Sequence, residues 1–99
     1  MMVLKLTGEL TIATASELKE TLLGALAGKT DVEVDASTVS EADMAGVQLL
    51  IAARRQALEQ GHAFVIPHAR RGEALRAAIT VSGMEHALPA VIERDGHHA

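Results

Sequence analysis

The sequence predicts an α/β domain, a mostly parallel or mixed sheet of about four strands alternating with helices. Three observations predict it. Apolar and polar residues alternate over residues 4–7 and 31–35, the two-residue period of a half-buried strand. Leu18, Leu22, Ala25 and Leu26, and later Val47, Leu50, Ile51, Arg54 and Leu58, recur at the spacing of one helix face. Ala63-Phe64-Val65-Ile66 is a continuous apolar run closed by Pro67, as in a strand covered on both faces. In chain order these segments read strand, helix, strand, helix, strand, helix, which calls for parallel strands joined by right-handed crossovers.

The first strand is expected over residues 2–7, with Gly8 turning or bulging it and Leu10 and Ile12 able to extend it. Thr14-Ala15-Ser16-Glu17 fits a capping box, in which the Thr14 hydroxyl accepts from the Glu17 amide and the Glu17 carboxylate reaches back to the cap. A helix starting there carries the Leu18–Leu26 stripe, and Gly28 is placed to stop it. The second strand covers residues 31–35, and residues 37–42 read as a polar loop. Asp43 is a good cap for a second helix, with Arg54 at the edge of its stripe and Gly61 at its end. A third helix is expected over residues 72–82, with Leu75, Ala78, Ile79 and Ser82 inside and Gly83 after it. Met84, Leu88, Val91 and Ile92 close the domain, with one last short strand among them. The domain is expected to end at residue 92, leaving residues 93–99 as a frayed tail.

Composition narrows the function classes. The chain has 99 residues, 48% of them apolar, enough for one compact core. No apolar run reaches the roughly 20 residues of a membrane span and no secretory leader pattern opens the chain, so a cytoplasmic protein is expected. With no cysteine, disulfide bonding and thiolate catalysis are excluded. Nine basic against 13 acidic side chains leave a net charge of −4, which offers phosphate backbones no general attraction. Phe64 is the only aromatic ring, so stacking platforms for nucleic acid are absent as well. An enzyme would need nucleophile, base and oxyanion site together. No Gly-x-Ser-x-Gly, Walker or His-Glu-x-x-His pattern is present.

Three motifs nevertheless stand in order. Leu6-Thr7-Gly8-Glu9-Leu10 is followed by Thr14 and Leu18; Asp35-Ala36-Ser37-Thr38-Val39 leads into Asp43-Met44-Ala45-Gly46; and Ser82-Gly83-Met84 comes near the end. Together they resemble the signature of STAS domains, the family of anti-sigma factor antagonists and of the cytoplasmic tails of sulfate transporters. The resemblance covers nearly the whole chain. It implies a non-catalytic signalling domain of bacterial transcription regulation, working by protein–protein interaction without a cofactor or a metal. The family pattern carries a further strand before the Gly-Glu-Leu segment, for which this sequence has no room. An uncovered sheet edge over residues 4–10, and a homodimer through it, are therefore expected.

In relatives of this kind a Ser or Thr at the position of Met44 receives phosphate from a kinase, and the resemblance implies that this toggles partner binding. Met44 has no hydroxyl, so the position is a phosphoacceptor equivalent that cannot be phosphorylated. Two readings follow: a docking surface fixed in its unphosphorylated form, with Met44 as an adaptable apolar contact, or a thioether turned into the core. On the docking reading the surface comprises Ser40, Glu41, Asp43, Met44, Val47 and Gln48. Its partner is a larger protein: a histidine-kinase-like anti-sigma factor, a chemosensory protein or a transporter ATPase. The alternative is a small ligand, whether nucleotide, anion or lipid, held at the helix N-terminus whose free amides small Ala45 and Gly46 leave accessible.

Other polar residues carry paired readings. Ser37, Thr38 and Ser40 are phosphate acceptors or loop hydroxyls bonded to their own backbone. Asp43 is a cap or a contact, and Asp35 either holds its loop by accepting amide hydrogen bonds or joins Glu41 and Asp43 around a divalent ion. The five histidines form no ligand pattern. Arg70, Arg71 and Arg76 are a solvated helix start or a site for an acidic partner, and Arg54-Arg55 reads the same way.

Overall fold

The structure, a computed structural model, describes residues 1–91. It has three strands, β1 (Met2–Leu10), β2 (Val32–Ala42) and β3 (Phe64–Val65), and three helices, α1 (Ala15–Leu26), α2 (Met44–Glu59) and α3 (Gly72–Ser82). Both strand pairings are parallel and the sheet order is β1-β2-β3. Right-handed crossovers in that order put α1 and α2 on one face, where they pack on each other, while α3 packs against β2.

The helix stripes are buried as their spacing requires. Leu18, Leu22, Ala25 and Leu26 of α1 and Leu75 and Ile79 of α3 are buried, with Ala78 and Ser82 half-buried beside the latter pair. In α2 the buried side is rotated from the expected stripe. Val47 and Leu50 are inside with Ala53 and Ala57, whereas Ile51 and Arg54 lie at the edge and Leu58 is exposed. The reason is spacing: α2 packs on the sheet beside α1, and alanines at 53 and 57 allow a close approach on its buried side that a larger side chain would prevent. Phe64, Val65 and Ile66 are all buried, as a strand covered on both faces demands.

Residues 37–42, expected as a loop, instead continue β2. Thr38, Val39, Glu41 and Ala42 lie opposite Thr7, Gly8, Glu9 and Leu10. Between the pairs Lys5–Asp35 and Thr7–Thr38, and again between Gly8–Val39 and Glu9–Glu41, β2 advances one residue more than β1. These bulges shift the side-chain alternation and conceal the strand period. Gly8, with φ 74°, keeps β1 running through to Leu10 rather than ending it, and Ile12 falls in a 3₁₀ turn (Ile12–Thr14). That turn changes the cap of α1. Thr14 stands before the helix, but its hydroxyl donates to the Glu9 carbonyl at 2.8 Å and accepts from the Thr11 amide at 3.1 Å, so the expected capping box with Glu17 does not form. At the other end of α1 the left-handed residue is Lys29, φ 50°, not Gly28.

Among the described residues there are three strands rather than about four. Between Met84 and Leu88, two of the residues expected around a last strand, the chain forms a 3₁₀ turn (Glu85–Ala87), after which Leu88 is buried and the Pro89 carbonyl accepts from the Ile66 amide at 2.9 Å. Proline has no N–H to return, so this contact cannot grow into a ladder. Ile92 and the expected tail 93–99 lie outside the described residues.

Arg71 corrects another expectation. Instead of a solvated helix start it is 4% exposed, donating from Nε to the Ile66 carbonyl at 2.8 Å and from Nη2 to the Leu88 carbonyl at 2.6 Å. Its planar fork ties the end of β3 to the segment after α3. Burial, and secondarily the nearby Arg76 charge, lowers its pKa from the usual arginine value. Arg70, next to it, pairs with Asp35 at 3.1 Å and Glu33 at 3.5 Å, while Arg76 is exposed.

Candidate functional site

The site lies where β2 passes into α2. Asp43, extended at φ −131°, is the N-cap of α2, and its Oδ1 accepts from the Gly46 amide at 3.1 Å. Its other oxygen, Oδ2, accepts from the Ile12 amide at 3.0 Å, joining the turn after β1 to the start of α2. The Ile12 bond foremost, then those to Gly46 and Ala45, holds the Asp43 carboxyl below its ordinary 3.8. Asp43 therefore acts as cap and as tie.

Of the amides expected to be free for an anion at this helix start, that of Gly46 is taken by Asp43. The Asp43 carboxylate already occupies the positive end of α2. Gly46 is buried, and its small size serves packing: a Cβ there would lie 2.1 Å from the Leu10 carbonyl oxygen.

Asp35 holds the strand that leads to the site. Its Oδ1 accepts from the Ser37 hydroxyl at 2.6 Å and the Ser37 amide at 3.0 Å, while Oδ2 meets Arg70. The Ser37 hydroxyl first, then its amide, with Arg70 adding to them, lowers the Asp35 pKa below 3.8. Among the described residues no group of three His, Cys, Asp or Glu side chains could hold a metal ion.

The six residues expected to meet a partner separate into two kinds. Ser40, Glu41, Met44 and Gln48 are exposed and Asp43 is half-buried, but Val47 is 0% exposed and faces the core. Val47 is thus not available to a partner. The Ser40 hydroxyl donates to the Gly8 carbonyl at 3.2 Å, across to β1, so it braces the sheet. Met44 is the first residue of α2 and is 50% exposed, which excludes the reading in which its thioether fills the core.

Sequence reasoning missed what lies beside Met44. A groove of about 360 Å³ runs between the start of α2 and α3, lined by Met44, Ala74, Ala77, Ala78, Val81 and Ser82, with Val81 86% exposed. One signal was present. Ala74, Ala77 and Val81 form a second apolar stripe at i, i+3 and i+7 of α3, in addition to the stripe that fills the core. A soluble helix needs only one.

Among the described residues a three-stranded parallel sheet with three helices, its bulged central strand delivering an acid-capped helix, defines a small α/β domain. The sequence profile described as "Mlab, STAS domain" matches residues 1–93, and the chain belongs to the STAS domain family. The crystal structure of a candidate anti-sigma factor antagonist from Thermotoga maritima is similar at a TM-score of 0.71 and 12% identity, covering 97% of this chain and 81% of that one. At that identity the likeness is one of fold. No curated protein matches the chain in sequence. Among the described residues no helix is long and apolar enough to cross a membrane.

Proposed function

We propose that this STAS domain is a non-catalytic docking module whose start of α2 binds a larger regulatory protein without a phosphorylation switch at position 44. The observation that carries this reading is Met44 itself, half exposed beside the apolar α2–α3 groove, where a hydroxyl would be needed for covalent switching. Unbranched and polarizable, a methionine adapts to an opposing apolar surface. Glu41 and Gln48 border it as a polar rim.

A small anion at the same helix start is the weaker reading, because Asp43 holds the Gly46 amide such a ligand would use. The partner class implied by the resemblance to anti-sigma factor antagonists is a histidine-kinase-like anti-sigma factor, with a chemosensory protein or a transporter ATPase as the other candidates.

The test is affinity capture from the native organism with the wild-type chain and with Met44→Lys and Gln48→Lys, each checked for native circular dichroism. Capture of one protein by the wild type, lost with Met44→Lys, supports the surface. Equal capture by all three chains refutes it.

A further inference from the structure

We infer that β1 is the interface of a symmetric homodimer, in which the outer edge of one β1 pairs antiparallel with that of a second copy, centred on Thr7. The inference is independent of the docking surface on α2.

At one end of β1 the Met2 amide donates to Asp31 before β2, and at the other the Leu10 carbonyl accepts from Asp43 after it. The even-numbered residues of β1 thus turn their backbone toward β2. Val3, Lys5, Thr7 and Glu9 turn theirs to the outer edge, where no strand pairs with them among the described residues. The Glu9 carbonyl confirms this direction, since it accepts from Thr14, outside the sheet, and keeps one lone pair. Along this edge runs a cleft of about 300 Å³, lined by residues 5–10 of β1 and by Thr14, Glu17, Leu18 and Thr21. An added strand would lie there, over α1.

Charge selects the occupant and its register. On the exposed face of β1, Lys5 and Glu9 are both solvent-facing, and among the described residues neither belongs to an ion pair. Glu9 lies opposite Glu41 of β2, also exposed and also without an ion pair among the described residues, so two like charges sit side by side. In an antiparallel pairing centred on Thr7, Lys5 of each copy faces Glu9 of the other, twice by symmetry. Each lysine then meets the Glu9–Glu41 pair. Centring on Lys5 would set lysine against lysine, and centring on Leu6 would leave both charges facing neutral residues. Opposite charges directly across a ladder favour the Thr7 register over these.

Sedimentation velocity of the 99-residue chain over a range of concentrations tests the dimer. The expected result is a species of twice the 10.4 kDa chain mass that dissociates on dilution. Lys5→Glu and Glu9→Lys should each weaken association by about tenfold or more, and the double exchange Lys5→Glu/Glu9→Lys should restore it to within about threefold. The two single changes move the net charge from −4 in opposite directions, to −6 and to −2, so a common loss cannot come from overall repulsion. A monomeric mass at every concentration would overturn the inference. So would single variants that associate as the wild type does, or a double exchange no better than the singles while circular dichroism shows all four chains folded.

Discussion

Gly46 and Leu10 are in contact so close that no side chain fits between them: a Cβ on Gly46 would stand 2.1 Å from the Leu10 oxygen and 2.8 Å from its carbonyl carbon. The Leu10 carbonyl also accepts from the Asp43 amide at 3.1 Å, so the end of β1 is clamped against the first turn of α2. The glycine of the motif thus fixes how the helix bearing Met44 leaves the sheet.

Gly46→Ala should therefore destabilise the protein by about 3 kcal/mol, because the obstacle is backbone and cannot swing aside. Urea unfolding is the measurement. Gly24→Ala is the control: Gly24 lies in the last turn of α1, a Cβ there meets nothing within 4 Å, and replacing a helical glycine should stabilise by up to about 0.5–1 kcal/mol. Equal effects at the two positions would show that the Leu10 contact is not a constraint.

Much of this organisation is legible in the sequence where one residue has one role. The stripes of α1 and α3 and the cap Asp43 follow directly from spacing and residue type. Where two segments cooperate, local pattern fails. Residues 37–42 look like a loop because the bulges in β2 break the alternation, and only a partner strand as long as β1 makes them a strand. Arg71 looks like a surface charge because its reason to be buried, the carbonyls of Ile66 and Leu88, lies 5 and 17 residues away. At the site, the position of Met44 could be read, but the groove depends on how α3 meets α2. Gly46 was recognisable as part of a motif without its role in packing being visible.

Arg71 is the second quantitative test. Arg71→Leu removes a buried cation but leaves the Ile66 and Leu88 carbonyls without those donors, each at a cost of about 1–3 kcal/mol if they stay dry. A net loss of about 2 kcal/mol in urea unfolding is expected, since removing the charge recovers part of its desolvation. Arg71→Lys should not restore it, because a single ammonium cannot reproduce the two-pronged contact. A stability equal to wild type in both variants would mean that the fork does not hold the segment after α3.

Met44 and Val47 differ in a way that separates surface from core. Met44→Lys places a charge on a half-exposed position and should change stability by no more than about 0.5 kcal/mol. Val47→Lys forces a charge into a position with no exposure and should leave the chain largely unfolded by circular dichroism. If Met44→Lys unfolds the protein as Val47→Lys does, the thioether serves the core and not a partner.

The carboxyl of Asp43 sets a pH dependence whose sign is fixed by its bonds. Ile12 and Gly46 donate to the ionised form, so the folded protein holds this group below its ordinary 3.8, the value the unfolded chain keeps. Above 3.8 the group is ionised in both states and its stabilisation is fully present. As pH falls below 3.8 the unfolded chain takes up the proton first, and the stabilisation is lost through the folded-state pKa. Asp43→Asn can still offer one oxygen to the cap but has no charge to lose. Thermal unfolding from about pH 7 to about pH 2.5 should show wild type the more stable at neutral pH, with the gap closing below 3.8. Asp35, lowered mainly by Ser37, acts in the same window and will leave a residual acid slope in the variant. Asp35→Asn together with Asp43→Asn should flatten most of that slope. A gap that stays constant across the whole pH range would show that the tie from Asp43 to Ile12 does not depend on the carboxylate charge.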